Sequence, residues 1–162
     1  MRKLVLFTLA FTVMTFVSNA QENKFTAGVN VGLPLGDIKD AYNVNFGVDV
    51  AYNFSLVKNL EGGLGVGYSH FVAKGQTFPK IEDVGLIPVY ASLKFLISDS
   101  IFVGTDLGYG IGISPDGNDG GLFYQPKFGY RSDEFDVFLG YKNFSVDDSN
   151  FSSINVGINY TL

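Results

Sequence analysis

From residue 24 to the C-terminus, apolar and polar residues alternate with a period of two. In 41–54, Tyr42, Val44, Phe46, Val48, Val50, Tyr52 and Phe54 alternate with Asn43, Asn45, Gly47, Asp49, Ala51 and Asn53. Successive side chains of an extended chain point to opposite faces, so this period predicts a strand with one apolar face. The pattern recurs in 24–33, 59–72, 85–97, 101–113, 122–131, 135–144 and 152–162, which gives eight expected strands and no helical segment after residue 20. Several are longer than the five or six residues usual in soluble sheets. The connections alternate in character: 34–40, 73–83, 114–121 and 145–150 are longer and polar, whereas 55–58, 98–100 and 132–134 are short. An even number of strands joined this way predicts an all-β fold, an eight-stranded antiparallel up-and-down barrel with every long connection at one end.

Alternation alone does not say whether the apolar face meets lipid or a core. Three features favour a transmembrane β-barrel over a soluble one. The polar face is poor in charge and rich in small residues, among them Gly28, Gly47, Gly65, Gly67, Gly108, Gly110, Gly129 and Gly157. That suits a narrow eight-stranded lumen better than a water-facing surface, which normally carries many charges. The aromatics of the apolar face fall in two bands: Phe25, Phe54, Phe95, Tyr130, Phe135 and Tyr160 at the short-turn end, and Tyr42, Tyr68, Tyr109, Tyr124 and Tyr141 towards the long-connection end. Such bands are expected as interfacial girdles. Finally, the strand charges lie on the polar face and balance: Asp49, Glu61, Asp106 and Asp136 against Lys94, Lys127, Arg131 and Lys142. They are expected to form a paired network that closes the lumen.

Residues 1–20 read as a secretory signal peptide, with Arg2 and Lys3 before an apolar run from Leu4 to Val17 and small residues at Ser18-Asn19-Ala20. The expected mature domain is 21–162. The full chain carries a formal charge of −5; loss of Arg2 and Lys3 would make it −7. With no Cys and one His, disulfides, thiolate chemistry and most transition-metal sites are excluded, and no cofactor or metal is expected. The acidic balance and the lack of a basic patch exclude a nucleic-acid partner.

The segments Ile87-Pro88-Val89-Tyr90-Ala91-Ser92-Leu93-Lys94-Phe95, Ile101-Phe102-Val103-Gly104-Thr105-Asp106-Leu107-Gly108-Tyr109-Gly110 and Tyr124-Gln125-Pro126-Lys127-Phe128-Gly129-Tyr130-Arg131, with Ala20-Gln21 at the expected cleavage point, carry a family resemblance. The chain resembles the small bacterial outer-membrane β-barrels of the OmpA-transmembrane-domain/OmpX-like group, and more closely the Bacteroidetes-type outer-membrane β-barrel domain. The resemblance implies a Gram-negative outer-membrane location and contact with outer-membrane lipid and lipopolysaccharide. The last strand, Ile154, Val156, Ile158, Tyr160 and Leu162, is similar to the signal read by the barrel-assembly machinery, although it ends in Leu rather than Phe. Pro88 and Pro126 each remove a ladder donor in a sheet without edges, so a bulge is expected at one or both.

Ser69 and His70 are the only pair suggesting catalysis, but adjacent strand residues face opposite sides, so no enzymatic activity is expected. The long connections are acidic (Asp37, Asp40, Glu82, Asp83, Asp116, Asp119, Asp147, Asp148), and 115–120 lacks the complete ligand spacing of a calcium loop. These acids fit turn chemistry, with divalent bridging to lipopolysaccharide as the alternative. The expected function is a filled-lumen barrel with a structural or surface-interaction role. The alternatives are a narrow channel for ions or small solutes, and a soluble periplasmic ligand-binding barrel.

Overall fold

The computed structural model describes residues 24–75, 81–146 and 149–162; the expected signal peptide lies outside them. Eight strands follow in order: β1 (Lys24–Leu35), β2 (Tyr42–Val57), β3 (Leu60–Ala73), β4 (Val84–Leu96), β5 (Ile101–Ser114), β6 (Gly121–Arg131), β7 (Phe135–Val146) and β8 (Ser149–Thr161). Each pairs antiparallel with its neighbours, and β8 closes on β1. Among the described residues no helix is long and apolar enough to cross a membrane; the apolar surface is carried by strands.

Register fixes the barrel's shape. The ladder runs from Phe25 through Tyr52, Leu64, Ala91, Leu107, Tyr124, Asn143 and Ser152, and returns to β1 at Leu35, a stagger of ten residues. With ordinary strand spacings, that stagger over eight strands tilts them by about 41° and gives a radius of about 8 Å. On β5 the outward residues from Val103 to Ile113 then climb about 25 Å, the height of a transmembrane apolar band.

The short turns are tight. Between β2 and β3 the chain reverses at Lys58-Asn59, with Asn59 at φ 69°, a left-handed conformation that Asn tolerates better than most residues. Ser98 Oγ accepts from the Ile101 amide at 3.1 Å in the next short turn. At the opposite end, a single 3₁₀ turn (Gly36–Ile38) folds Ile38 into the barrel mouth. The seventh connection is shorter than expected: Ser145 pairs with Asn150 and Val146 with Ser149, because polar Ser and Asn can still continue a ladder.

Two expectations are corrected. The ladder shows register shifts at Tyr42/Val44, Ser55/Val57 and Gly85/Leu86, none of them at a proline. At Pro88 and Pro126 the strands stay in register, with a gap in the β3–β4 and β6–β7 ladders respectively, while the partner on the β5 side pairs without a break. Loss of one donor is therefore absorbed as an interruption rather than a bulge. The second correction is Tyr42. The extra residue at its register shift turns it into the barrel, where it is buried, packs edge-on against Phe71 and Phe151, and donates from its hydroxyl to the Glu82 carbonyl at 3.3 Å. It is not part of the outer aromatic band.

The lumen is also less uniformly small than the glycine-rich face suggested. Tyr90, Phe102, Phe123, Phe138 and Phe144 point inward. Glycines on facing or adjoining strands make room for them: a Cβ at Gly65 would lie 2.4 Å from the Tyr90 ring, at Gly129 2.5 Å from Phe102, at Gly157 2.4 Å from Phe138, and at Gly110 2.5 Å from Phe144. High glycine and high aromatic content are thus complementary inside the barrel as well as segregated between its faces.

Candidate functional site: the lumen and the outer face

The interior is layered along the barrel axis. Nearest the short turns is an ion-pair layer. Arg131 on β6 reaches across the lumen to Glu61 on β3 with a bidentate pair (2.5 and 2.8 Å), and its Nε donates to Asp136 on β7 at 2.9 Å. Lys94 on β4 also pairs with Asp136 and lies 4.9 Å from the centre of the Phe102 ring. Planar guanidinium suits such forked contacts, and the Arg131–Glu61 and Lys94–Asp136 pairs tie together strands that are not neighbours in the sheet.

Above it, Lys127 donates to Asp106 at 2.6 Å and lies over the Phe138 ring at 5.2 Å. Asp49 has no direct cation; it accepts from the Tyr90 hydroxyl at 3.2 Å. Lys142 is nearly inaccessible and has no carboxylate in contact either. Its Nζ donates to Asn30 Oδ1 at 2.6 Å and Asn45 Oδ1 at 3.3 Å, with Ser69 Oγ at 3.5 Å. The expected network therefore divides: six charges form direct pairs, while Asp49 and Lys142 are held by neutral partners. Sequence reasoning missed the amide layer of Asn30, Asn45 and Asn155, in which Asn155 Nδ2 donates to Asn45 Oδ1 at 3.0 Å. The signal was present as polar residues at inward positions, and Asn155 joins the other two only because β8 closes on β1.

At the loop end the lumen is apolar. Phe71, Phe123 and Phe144 are fully buried, with ring centroids 6.3 Å apart for Phe71–Phe144 and 4.9 Å for Phe123–Phe144. Tyr42, Leu86, Val84, Val146 and Ile38 complete the plug.

On the outer face, Phe25, Phe95, Tyr130, Tyr160, Tyr109 and Tyr141 are exposed, while Phe54, Phe135, Tyr68 and Tyr124 are half-buried. Three of the loop-side hydroxyls are bonded to protein: Tyr68 to His70 Nδ1 at 2.8 Å, Tyr109 to the Asp119 carbonyl at 3.1 Å and Tyr141 to Ser152 Oγ at 3.0 Å. These tyrosines also stop short of the rim, since Ile111 and Ile113 follow Tyr109 on β5 and are exposed. On β7 the outward positions beyond Tyr141 are instead Asn143 and Ser145, joined by a bond of 3.0 Å.

Ser69 and His70 face opposite sides: Ser69 Oγ accepts from Asn45 inside the lumen, and the His70 ring packs against Phe46 outside. No base–nucleophile pair forms between them. His70 belongs instead to a clasp that holds the β3–β4 connection. Its Nε2 lies 3.2 Å from Asp83 Oδ2, and the Ala73 amide donates to Asp83 Oδ1 at 2.8 Å. The spacing of Tyr68 and His70 on one face was readable from the strand period; their meeting with Asp83 was not. The Ala73 amide, and after it the His70 ring, hold the Asp83 carboxyl below the usual carboxylate range. A depressed carboxyl stabilises the clasp above its ordinary value of about 4, and that contribution disappears as pH falls through the lowered value. Protection of the Ala73 amide against hydrogen exchange, measured relative to its intrinsic rate at each pH, is therefore expected to be high at neutral pH and to fall in acid, and Asp83→Ala should abolish it throughout.

No family model matches the chain, and no curated protein does. Solved structures do match in fold. Neisserial surface protein A superposes with a TM-score of 0.58 at 14% identity, over 90% of this chain and 100% of that one. The Yersinia pestis outer membrane protein Ail in a phospholipid nanodisc gives 0.57 at 16% identity, over 87% and 100%. The N-terminal barrel domain of Pseudomonas aeruginosa OprF gives 0.51 at 12% identity, over 89% and 100%. The chain thus has the fold of the small eight-stranded outer-membrane β-barrels.

Proposed function

We propose that the protein is an integral barrel of a Gram-negative outer membrane, with a filled lumen and a structural or surface-interaction role at its loop end. The observation that carries this reading is a closed barrel whose outward residues are apolar over the height of a bilayer, while its interior is occupied by ion pairs, an amide layer and an aromatic plug. Removal of the signal peptide 1–20, delivery by the barrel-assembly machinery through β8, and contact with lipid and lipopolysaccharide complete the proposal. The outer aromatics act in it as interfacial anchors. A structure of Ail contains a heparin analogue. The loop end here carries Asp37, Asp40, Glu82, Asp83, Asp116 and Asp119 against Lys39 and Lys74, which disfavours a polyanion and suits divalent bridging to anionic lipid instead.

The main competing reading is a narrow channel. In a planar bilayer the intact protein should give no steady open-channel current. Sustained currents that change on replacing Lys94 or Asp106 would overturn the filled-lumen reading.

A further inference from the structure

Three spaces inside the barrel share walls. The mouth at the short-turn end, about 410 Å³, is bordered by Thr26, Asn53 and Lys94. The same three residues border a second space of about 20 Å³, which reaches Asp106 and Asn159. A third, also about 20 Å³, shares Asp106 and Asn159 with the second and extends to Lys142. Each of the two inner spaces has room for about one water. Their walls are built to bind it. Among the described residues, three buried side-chain atoms lack a hydrogen-bond partner: Asp106 Oδ1, Gln125 Nε2 and Asn159 Oδ1. All three residues border the third space, and Asp106 and Gln125 are 2% and 5% exposed. Two acceptors and one donor match the hydrogen-bonding capacity of water, and leaving such groups unpaired is costly. Beyond the third space stand the rings of Phe123, Phe144 and Phe71, packed against one another.

We infer that the lumen is a one-sided aqueous path, in which water and hydrated protons enter from the short-turn end and reach Lys142, and the apolar plug alone separates them from the loop end. This rests on the filled-lumen reading and adds a direction to it. The inner spaces admit single waters and not a hydrated ion, so the path carries protons by hopping along bound water. An apolar constriction blocks that hopping by staying dry.

The test is proton leak into vesicles carrying the purified protein and an internal pH dye. Wild type should leak no faster than protein-free vesicles. The triple variant Phe71→Ala/Phe123→Ala/Phe144→Ala, shown to be folded by its unboiled gel mobility, should leak about tenfold faster through the opened constriction. Adding Asn159→Leu, which fills the second space, should restore the wild-type rate. A folded triple variant as tight as wild type would overturn the one-sided path and leave the filled lumen standing; a leak in wild type would overturn the filled lumen itself. A measurement on the wild type covers a variant that fails to fold. Magnetisation transfer from water should reach the Gln125 side-chain amide in nanodiscs and not the Phe71 or Phe144 ring, and its absence at Gln125 would overturn the proposal.

Discussion

Asp106→Ala is expected to lower the stability of the folded barrel by about 3 kcal/mol, the low end of what breaking a buried ion pair costs. Asp106 and Lys127 are nearly inaccessible, with side-chain exposures of 3% and 11%, and pair at 2.6 Å. Removal of the carboxylate leaves the Lys127 ammonium without its ion-pair partner in the same interior as Lys142. The low end applies because Asp49 borders the same inner space and can offset part of the uncompensated charge. The double variant Lys127→Met/Asp106→Leu should recover most of the loss, since replacing a buried pair by apolar groups of similar size is often neutral. Urea unfolding midpoints in detergent micelles measure both. An equal loss in the single and double variants would show that the pair contributes far more than its own desolvation cost.

Gly110→Val should cost about 2–3 kcal/mol by overpacking the plug. A Cβ at that position would lie 2.5 and 2.7 Å from two carbons of the Phe144 ring, which is fully buried and stacked on Phe123. Phe144→Ala alone should cost about 3–5 kcal/mol through the cavity it leaves. Combined, the two changes should cost clearly less than their sum, because the valine occupies space that the ring vacates. Strict additivity in the same unfolding measurement would show that glycine at 110 is not there to accommodate Phe144.

Much of this architecture was legible in the order of residues, because period-two alternation reports which face each side chain takes. All eight strands and the inward position of all eight balancing charges follow from that rule, and the end carrying the longer connections follows from their alternating lengths. What escaped it depends on register. One extra residue before Val44 moved Tyr42 from the outer face to the plug, and nothing local to that segment marks the shift. The division of the charges also depends on distance across the lumen: Lys142 meets amides from β1 and β2, not the carboxylates with which its charge was matched. The prolines failed as bulge markers because a strand already held in register on one side can lose a single donor on the other. His70 was correctly separated from Ser69, but its partner Asp83 comes from the far end of a connection, which no strand period can place.

A probe placed on the apolar outer face reports directly whether that face meets lipid. The chain contains no Trp, so one introduced residue reports alone. Val156 lies on the outer face of β8 and is 55% exposed. In vesicles of acyl-chain-brominated lipid, the fluorescence of Val156→Trp should be blue-shifted and strongly quenched. An unquenched probe with water-like emission, in protein that remains folded, would contradict the account.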